Sequence, residues 1–220
     1  MKGTLIVFAR APRPGRAKTR LARAIGARKA AWLAARLLEH ALAAARAARC
    51  AAVELHCAPD CAHPLLRRLA RRARARLRAQ GPGDLGVRMH AALARALEAG
   101  GPAVLVGSDC PALGVREIRA AFAALEEGAD AVLAPATDGG YVLVGLARPA
   151  PALFDGIAWG TRQVLEATRR RLAALGLAWR ELAPLKDVDR AADLARLRRA
   201  PLRERLGRAR GAREAAKAPC

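Results

Sequence analysis

The sequence predicts one α/β domain in which a mostly parallel, mixed β-sheet lies between two layers of helices. Short apolar runs alternate with longer segments of helical pattern, which is the order expected of strand–helix–strand units. Residues 4–9 and 104–106 are apolar apart from Thr4, as in strands that are covered on both faces. With 220 residues, 53% of them hydrophobic, the chain can form one sizeable core.

The first half of the chain is predicted to contain two strands and three helices. Strand 4–9 is followed by a basic turn with two prolines, and then by a helix that begins at 18, or at 27 after a break at Gly26, and ends at 48. The remaining elements are strand 51–58, helix 64–78, a glycine-rich loop 80–86 and helix 85–99. Asp84 is a candidate N-cap of that last helix.

The second half begins with the buried strand that ends at Val106. The elements expected after it are helix 115–127, strand 130–135, strand 141–146, the irregular segment 154–159, a helix from an N-cap at Thr161 to 175, strand 177–182, loop 184–189 and helix 190–199. The short Asp138-Gly139-Gly140 break predicts that strand 141–146 is antiparallel. We expect one domain over 1–199 and a basic, disordered tail over 200–220.

The net charge of +21, from 40 Lys and Arg against 19 Asp and Glu, has two interpretations. It is typical of proteins that bind nucleic acid or another polyanion. It also fits coding bias, because Arg and Ala dominate the chain and the basic residues are spread over many helix faces without interleaved aromatic residues. We therefore expect no nucleic-acid partner and keep a nucleic-acid-binding protein as the alternative from a different class.

Neither a membrane anchor nor a disulfide framework is expected. No run reaches 18 apolar residues, and the first apolar run is too short for a signal peptide, so we expect a cytoplasmic protein. The cysteines are odd in number, with Cys50, Cys57, Cys61, Cys110 and Cys220. Cys57, Cys61 and His63 have no second ligand pair at zinc spacing, so we expect no zinc site.

The candidate site begins where the strand of 104–106 stops. Gly107 ends the strand and Asp109 follows at its carboxyl end, the edge of an open α/β sheet where ligands bind. A carboxylate there can hold a divalent cation, and the cation can hold a diphosphate. The alternative is that Ser108 or Asp109 only caps the next helix.

The basic loop after the first strand is a second candidate. Lys18 and Arg20 lie at the start of a helix, where backbone N–H groups and basic side chains favour a phosphate. The P-loop and dinucleotide-binding patterns are absent, and a solvated basic loop is the alternative. Arg88 can pair with Asp84 or face a ligand, and the glycines after Asp138 permit either a hairpin turn or a close approach to a substrate.

These motifs together resemble a bacterial family of GT-A-type glycosyltransferases that is often linked to arsenosugar biosynthesis. The resemblance covers residues 4–199 and extends to 2-phospho-lactate guanylyltransferase and the molybdenum-cofactor guanylyltransferase, which share the nucleotide-diphospho-sugar transferase fold. Its motifs, in chain order, are Phe8-Ala9-Arg10-Ala11-Pro12-x-Pro14-Gly15-x-x-Lys18-Thr19-Arg20-Leu21, Gln80-x-x-Gly83-Asp84-Leu85-Gly86-x-Arg88-Met89, Gly107-Ser108-Asp109-x-Pro111, Asp138-Gly139-Gly140-Tyr141-x-Leu143-x-Gly145-Leu146, Trp159-x-Thr161 and Asp187-Val188-Asp189.

The resemblance implies a role for each matching residue. Asp109 corresponds to the metal-binding carboxylate, with Asp189 as a second metal ligand and Asp138 as a candidate base. The residues implied to bind the nucleotide and its phosphates are Arg10, Pro12, Gly15, Lys18, Arg20, Gly83, Asp84, Arg88 and Ser108. Those implied to lie near the acceptor or the sugar are Gly139, Gly140, Tyr141, Trp159 and Thr161.

The implied activity is a Mg²⁺- or Mn²⁺-assisted transfer of a sugar from a nucleotide-diphospho-sugar to a small acceptor. A cation on Asp109, facing Lys18 and Arg20, would neutralise charge that develops on the leaving diphosphate. The alternative among enzymes is a nucleotidyltransferase that takes an NTP and a small phosphorylated acceptor. Ser108 and Cys110 beside Asp109 are not acidic, and the full Asp-x-Asp motif of glycosyltransferases is missing, which leaves this alternative open.

Overall fold

The centre of the molecule is a seven-stranded β-sheet, seen in a computed structural model that describes residues 2–189 and 193–194. The strands are β1 (Thr4–Arg10), β2 (Ala52–Ala58), β3 (Arg76–Ala79), β4 (Ala103–Gly107), β5 (Ala131–Pro135), β6 (Tyr141–Leu146) and β7 (Trp179–Glu181). Their order is β3-β2-β1-β4-β6-β5-β7. β6 runs antiparallel to β4 and β5, and the other pairs are parallel, which confirms the predicted mixed sheet.

Helices cover both faces of this sheet, so the predicted three-layer architecture is also confirmed. The helices are α1 (Thr19–Ile25), α2 (Ala27–Ala48), α3 (Pro64–Ala73), α4 (Leu85–Glu98), α5 (Val115–Glu126) and α6 (Val164–Ala174), with a 3₁₀ turn at Pro151–Phe154. One apolar cluster joins the sheet to α2, α3 and α5, and another joins it to α4, α6 and the 3₁₀ turn.

β1 shows why the central strands are apolar throughout. Successive side chains of a strand point to opposite faces. Leu5 and Val7 therefore pack in the cluster of α2, α3 and α5, whereas Ile6 and Phe8 pack in that of α4 and α6. Since β1 has β2 on one side and β4 on the other, it has no solvent-exposed edge. The carboxyl ends of β1 and β4 consequently meet in the middle of the sheet.

Two sequence predictions about helices are wrong. Helix 64–78 ends at Ala73, because Arg74 adopts a left-handed conformation with φ of 55° and the chain then forms the edge strand β3. β3 is an edge strand that pairs only with β2, and its side chains are exposed or half-buried. Its sequence therefore shows no alternation of apolar and polar residues. Thr161 does not cap α6: the cap position is Gln163, and the Thr161 hydroxyl donates a hydrogen bond to the Ala158 carbonyl.

Several other local predictions are confirmed. The helical segment after β1 breaks at Gly26, whose φ is 83°, and Asp84 caps α4 by accepting a hydrogen bond from Val87 N at 2.9 Å.

Among the described residues no helix is long and apolar enough to cross a membrane. Helix 190–199, apart from residues 193 and 194, and the tail 200–220 lie outside the residues that the structure describes.

Candidate functional site

Lys18 is the basic residue that the fold places at the centre of the candidate site. It lies in a left-handed conformation, with φ of 50° and ψ of 49°, at the N-cap of α1. This conformation is uncommon for a residue with a Cβ atom. Its side chain is 3% exposed, and its ammonium group lies 2.9 Å from Asp109 Oδ2 and donates a hydrogen bond to the Val188 carbonyl. The charged end of Lys18 is thus fixed at the carboxyl end of β4.

Asp109 has a role other than capping a helix. α5 begins after Gly114, whose backbone N–H is bonded by the Glu117 carboxylate at 2.9 Å, so neither Ser108 nor Asp109 caps it. The Asp109 side chain is 54% exposed. An ion pair with a buried lysine, combined with exposure to solvent, leaves this carboxylate accessible to a ligand.

The segment after β7 crosses the sheet edge and reaches Asp109. It begins with a parallel bridge between Leu185 and Ala136, and Val188 N donates to the Asp109 carbonyl at 3.1 Å. The Cys110 thiol donates to the Lys186 carbonyl at 3.4 Å. These contacts bring Asp187 and Asp189 to the same edge as Asp109, although about eighty residues of chain separate them.

The carboxylates on this segment lie in different surroundings. Asp189 pairs with the Arg20 guanidinium at 2.9 Å. Asp187 is half-buried, and its burial raises the pKa of its carboxyl above the ordinary value; the nearby Asp138 carboxylate raises it further and the Lys18 ammonium opposes the shift. Asp187 therefore lies within electrostatic reach of Asp138 and Lys18. Asp187 was not predicted as a site residue, and the only sequence signal for it is its position in the Asp-Val-Asp motif.

A cavity of about 600 Å³, which we call the basic cavity, opens at the carboxyl ends of β1 and β4. Its wall contains five basic residues and two acidic ones. These are Arg10, Arg16, Lys18, Arg20 and Arg88, together with Asp109 and Asp189. Ser108 also lines it. The fold thus brings seven of the residues predicted to bind phosphate or metal into one wall, from segments that are far apart in the chain.

Arg88 contributes a buried donor without a partner to the wall of this cavity. Its Nε atom is buried and has no hydrogen-bond partner among the described residues. No carboxylate of the described chain pairs with its guanidinium, so the predicted alternative of an Asp84–Arg88 pair is not found. A buried donor without a partner costs free energy, and an anionic ligand in the cavity would satisfy it.

Two further residues of the basic cavity were not predicted as site residues. Phe8 lies in its wall and stacks on the His56 ring, with the ring centroids 5.6 Å apart. The Gln80 amide donates to the carbonyls of Ala9 and His56 at 3.3 and 3.1 Å. Gln80 belongs to a motif quoted above, but its position in the wall follows from the pairing of β3 with β2, which the sequence did not predict.

Four of the predicted phosphate-binding residues do not line this cavity. Asp84 caps α4, and a Cβ atom on Gly83, whose φ is 91°, would lie 2.8 Å from the Val87 side chain. Pro12 is buried in the loop before α1. Gly15 has a φ of 77° and nothing within 4 Å of where its Cβ would be. These four residues lie in the loops before α1 and α4 rather than in the wall of the basic cavity.

A second cavity of about 640 Å³, which we call the aspartate cavity, adjoins the first. The two share Arg20, Leu85 and Asp189. The predicted acceptor and sugar residues Gly140, Tyr141, Trp159 and Thr161 line the aspartate cavity, as does Asp138. Its other charged residues are Arg162, Lys186, Asp187 and Asp193.

Gly139 has a structural position that only glycine can occupy. Its φ is 93°, and a Cβ atom there would lie 2.1 Å from the Arg162 carbonyl oxygen. Its own carbonyl accepts a hydrogen bond from Leu165 N at 2.9 Å. The Asp138 carboxylate accepts from Gly140 N at 3.0 Å. The turn is therefore docked against the start of α6, and this holds Asp138 at the cavity while Gly139 itself faces the helix.

The Trp159 indole is positioned by Gly86. A Cβ atom on Gly86 would lie 2.6 Å from Trp159 Nε1, so the ring packs directly on the backbone of the first turn of α4. Phe154 packs against the ring as well, with centroids 6.3 Å apart. The glycine in the Asp84-Leu85-Gly86 motif thus makes room for an aromatic residue from a distant segment.

The donor atoms at this edge fit a divalent cation that a substrate helps to hold. Among the described residues no group of three or more His, Cys, Asp or Glu is arranged to hold a metal ion. Mg²⁺ is usually held by one or two carboxylates together with substrate phosphates and water. Asp109, at 54% exposure, and Asp189, at 33%, offer such carboxylates, each already paired with one basic side chain.

The chain matches a protein family over more than half of its length. The model of the family described as uncharacterized protein conserved in bacteria (DUF2064) matches residues 41–161, more than half of the chain. The chain belongs to this family. A comparison with curated proteins finds no match.

A solved structure from Desulfovibrio desulfuricans G20, provisionally named a nucleotide-diphospho-sugar transferase, is 32% identical to this family member. The match has a TM-score of 0.77 and covers 85% of this chain and 82% of the other. The family and the predicted fold class are therefore confirmed, and the chain is a transferase.

More distant structures share the fold. The inositol-1-phosphate CTP transferase of T. maritima has a TM-score of 0.57 at 10% identity, over 87% of this chain and 91% of that one. The 4-diphosphocytidyl-2C-methyl-D-erythritol synthase of Anaerococcus prevotii DSM 20548 has a TM-score of 0.59 at 8% identity, over 88% and 95%. At these identities the likeness extends to the fold alone.

Proposed function

We propose that this protein is a metal-assisted glycosyltransferase that moves a sugar from a nucleotide-diphospho-sugar to a small-molecule acceptor. The observation that carries the proposal is the basic cavity, in which the buried and unpartnered Arg88 Nε shares a wall with Lys18 and Asp109. Five basic residues on one wall suit a diphosphate. The provisional name of the 32% identical structure supports the same class of substrate.

The basic residues have a defined chemical task in this proposal. When the bond between the sugar and the diphosphate breaks, negative charge grows on the leaving diphosphate. Fixed cations in a partly dry site stabilise such charge without having to reorganise. Lys18 is already fixed, because its ammonium is bonded to Val188 and Asp109, and Arg20 is held by Asp189.

The proposal places a Mg²⁺ or Mn²⁺ ion on Asp109, with Asp189 as a second ligand. When bound, the cation would neutralise part of the charge on the diphosphate. Lys18 pairs with Asp109 and Arg20 pairs with Asp189, each at 2.9 Å. Both carboxylates are partly exposed, so the phosphates of a substrate can approach them directly.

The aspartate cavity is the proposed site for the sugar and the acceptor. Asp138 is the proposed base for the acceptor hydroxyl, since it lines this cavity and is held there by the turn that docks on α6. A general base must lie within hydrogen-bond reach of the proton that it takes. Gly140, Tyr141, Trp159 and Thr161 line the same cavity and are proposed to contact the sugar or the acceptor.

Nucleotidyl transfer to a phosphorylated acceptor is the alternative. Gly107 favours it, because this position, two residues before Asp109, lacks the first acid of a glycosyltransferase Asp-x-Asp motif. In that reaction the acceptor would attack the α-phosphorus, and the leaving group would be pyrophosphate.

The product of turnover separates the two reactions. The full chain is first titrated with UDP, GDP, GTP and UDP-sugars, in the presence of Mg²⁺, Mn²⁺ or EDTA. A nucleotide that binds is then tested for turnover. Release of a nucleoside diphosphate supports glycosyl transfer, and release of pyrophosphate supports nucleotidyl transfer. If no nucleotide binds with either metal, both enzyme proposals fail.

A further inference from the structure

The aspartate cavity has a charge that is unusual for this chain. The protein carries a net charge of +21, yet aspartates outnumber basic residues in this cavity. The aspartates are Asp138, Asp187, Asp189 and Asp193, and the basic residues are Arg20, Arg162 and Lys186. Arg20 is engaged by Asp189 at 2.9 Å. The adjoining basic cavity has the opposite balance.

One of these carboxylates stands where the aspartate cavity meets the basic cavity. Asp189 lies in the wall that the two cavities share. Asp187 is within electrostatic reach of Asp138 on one side and of Lys18 on the other. Arg162 and Lys186 are exposed residues of the same cavity. An acceptor in this cavity that reaches the group proposed to bind at Lys18 would therefore lie close to Asp187 and Asp189.

The cavity also offers aromatic and apolar surface. This includes the only tyrosine of the chain, Tyr141, and one of its three tryptophans, Trp159. The Trp159 ring packs on the Gly86 backbone and against Phe154. The Tyr141 phenol oxygen is buried and makes no hydrogen bond of ordinary geometry within the described chain. Leu85, Met89 and Val164 complete the apolar part.

We infer that the acceptor is a hydroxyl-rich ring compound without phosphate or carboxylate groups, bound between the Trp159 ring and the aspartates of this cavity. The inference rests on the proposed function and names the class of acceptor for it. Ionised carboxylates only accept hydrogen bonds, so they match hydroxyl donors. A phosphate among them would meet like charges, which disfavours binding strongly. An aromatic ring is suited to the apolar face of a saturated ring.

Matched pairs of acceptors test the inference. Glucose is compared with glucose 6-phosphate, and glycerol with glycerol 3-phosphate, by saturation-transfer NMR and calorimetry on the full chain with UDP and Mg²⁺ present. Because like charges oppose the ester, we expect the unphosphorylated member of each pair to bind at least about tenfold more tightly. We also expect glucose to bind more tightly than glycerol, since only glucose presents a ring to Trp159.

Variants connect this preference to the cavity. Replacement of two carboxylates, Asp138→Asn with Asp187→Asn, is expected to raise the relative affinity for glucose 6-phosphate by about tenfold, because it removes the repulsion. Trp159→Ala is expected to weaken glucose binding by about tenfold, and Trp159→Phe to restore most of it. Asp155 and Trp32 lie outside both cavities, so Asp155→Asn and Trp32→Ala serve as the matched controls. Thermal melts establish that each variant is folded.

The outcomes separate this inference from the proposed function. Equal or tighter binding of the phosphate esters, or the same shift in the control variants, would overturn the inference while UDP binding stays intact. A preference that the Asp138 and Asp187 replacements leave unchanged would overturn it as well. Failure of UDP to bind to the wild-type chain would instead refute the nucleotide site, and glucose binding that depends on Trp159 would still support the cavity assignment.

Discussion

The Lys18 ammonium lies 2.9 Å from Asp109 Oδ2, and the Lys18 side chain is 3% exposed while that of Asp109 is 54% exposed. The pair joins the loop after β1 to the end of β4, two segments that are about ninety residues apart. A buried cation and an accessible carboxylate at the middle of the sheet edge define where the diphosphate and its cation are proposed to bind.

Replacing Lys18 is expected to weaken nucleotide binding more than it destabilises the protein. In Lys18→Met the apolar stem is kept and the charged hydrogen bonds are lost, which corresponds to about 2 kcal/mol and about a 30-fold weaker nucleotide affinity. Isothermal titration with UDP or GDP measures the change. Lys29→Met, an exposed lysine on α2, is the matched control. Equal affinities of the wild type and Lys18→Met would contradict the assignment of Lys18.

Gly139→Ala is expected to destabilise the protein. The new Cβ would lie 2.1 Å from the Arg162 carbonyl oxygen, at a φ of 93° that L-residues rarely adopt. Strain of this kind costs about 2 kcal/mol or more, which lowers Tm by about 4–8 °C for a chain of this size. Thermal unfolding followed by circular dichroism measures it.

Gly128→Ala provides the control for Gly139→Ala. Gly128 has a φ of 102° and nothing within 4 Å of its Cβ position, so only the backbone strain is shared. The Gly139 variant should lose clearly more stability than this control. Equal losses in the two variants would show that the contact with Arg162 does not matter.

Gly86→Ala is expected to have opposite effects in two backgrounds. A glycine to alanine change within a helix usually stabilises by about 0.5–1 kcal/mol. Here the Cβ would lie 2.6 Å from Trp159 Nε1, so we expect a lower Tm in the wild type. In a Trp159→Ala background the clash is absent, and the same change should raise Tm. A Tm change of the same sign in both backgrounds would contradict the proposed packing of Trp159.

His56 is expected to make folding stability depend on pH. Burial lowers the pKa of its imidazole in the folded protein, while its Glu54 partner at 2.7 Å opposes the shift and the nearby Arg95 and Arg78 guanidinium groups support it. At a pH below the ordinary imidazole pKa of about 6.5, His56 of the unfolded chain takes up a proton that His56 of the folded chain binds less readily. This contribution to stability is therefore present above that value and is lost as the pH falls.

Urea unfolding of the wild type and of His56→Gln at pH 7 and pH 5 tests this prediction. The free energy of unfolding of the wild type should decrease towards pH 5, and the decrease should be smaller in His56→Gln. His90→Gln, on the surface of α4, is the matched control and should keep the wild-type difference. An unchanged difference in His56→Gln would exclude His56 as its source.

The sequence was sufficient for most of the fold because the central strands must be apolar on both faces. β1 and β4 are buried along their length, and their composition shows it directly. β3 was missed because an edge strand buries few side chains, so its Arg76–Ala79 sequence has no clear period. The antiparallel strand β6 was predicted from the short glycine turn before it, which cannot contain a crossover helix.

The site was partly predictable for a similar reason. Asp109 and Lys18 follow parallel strands that are neighbours, so their positions follow from topology. Asp187 and Gln80 escaped prediction, because they depend on the bridge between Leu185 and Ala136 and on the pairing of β3. From the sequence, Asp138-Gly139-Gly140 could form either a hairpin turn or a close approach to a substrate. It forms the turn between the antiparallel strands β5 and β6, and Gly139 packs on the segment before α6.

Calorimetric titration of UDP-glucose and GDP-mannose tests the central claim most directly. Wild type and Asp109→Asn are compared in Mn²⁺ and in EDTA, with Asp155→Asn as the control. We expect a nucleotide sugar to bind the wild type at least about tenfold more tightly in Mn²⁺, and Asp109→Asn to lose this difference because one ligand of the cation is gone. Binding that is the same in Mn²⁺ and EDTA, and unaffected by Asp109→Asn, would contradict the account.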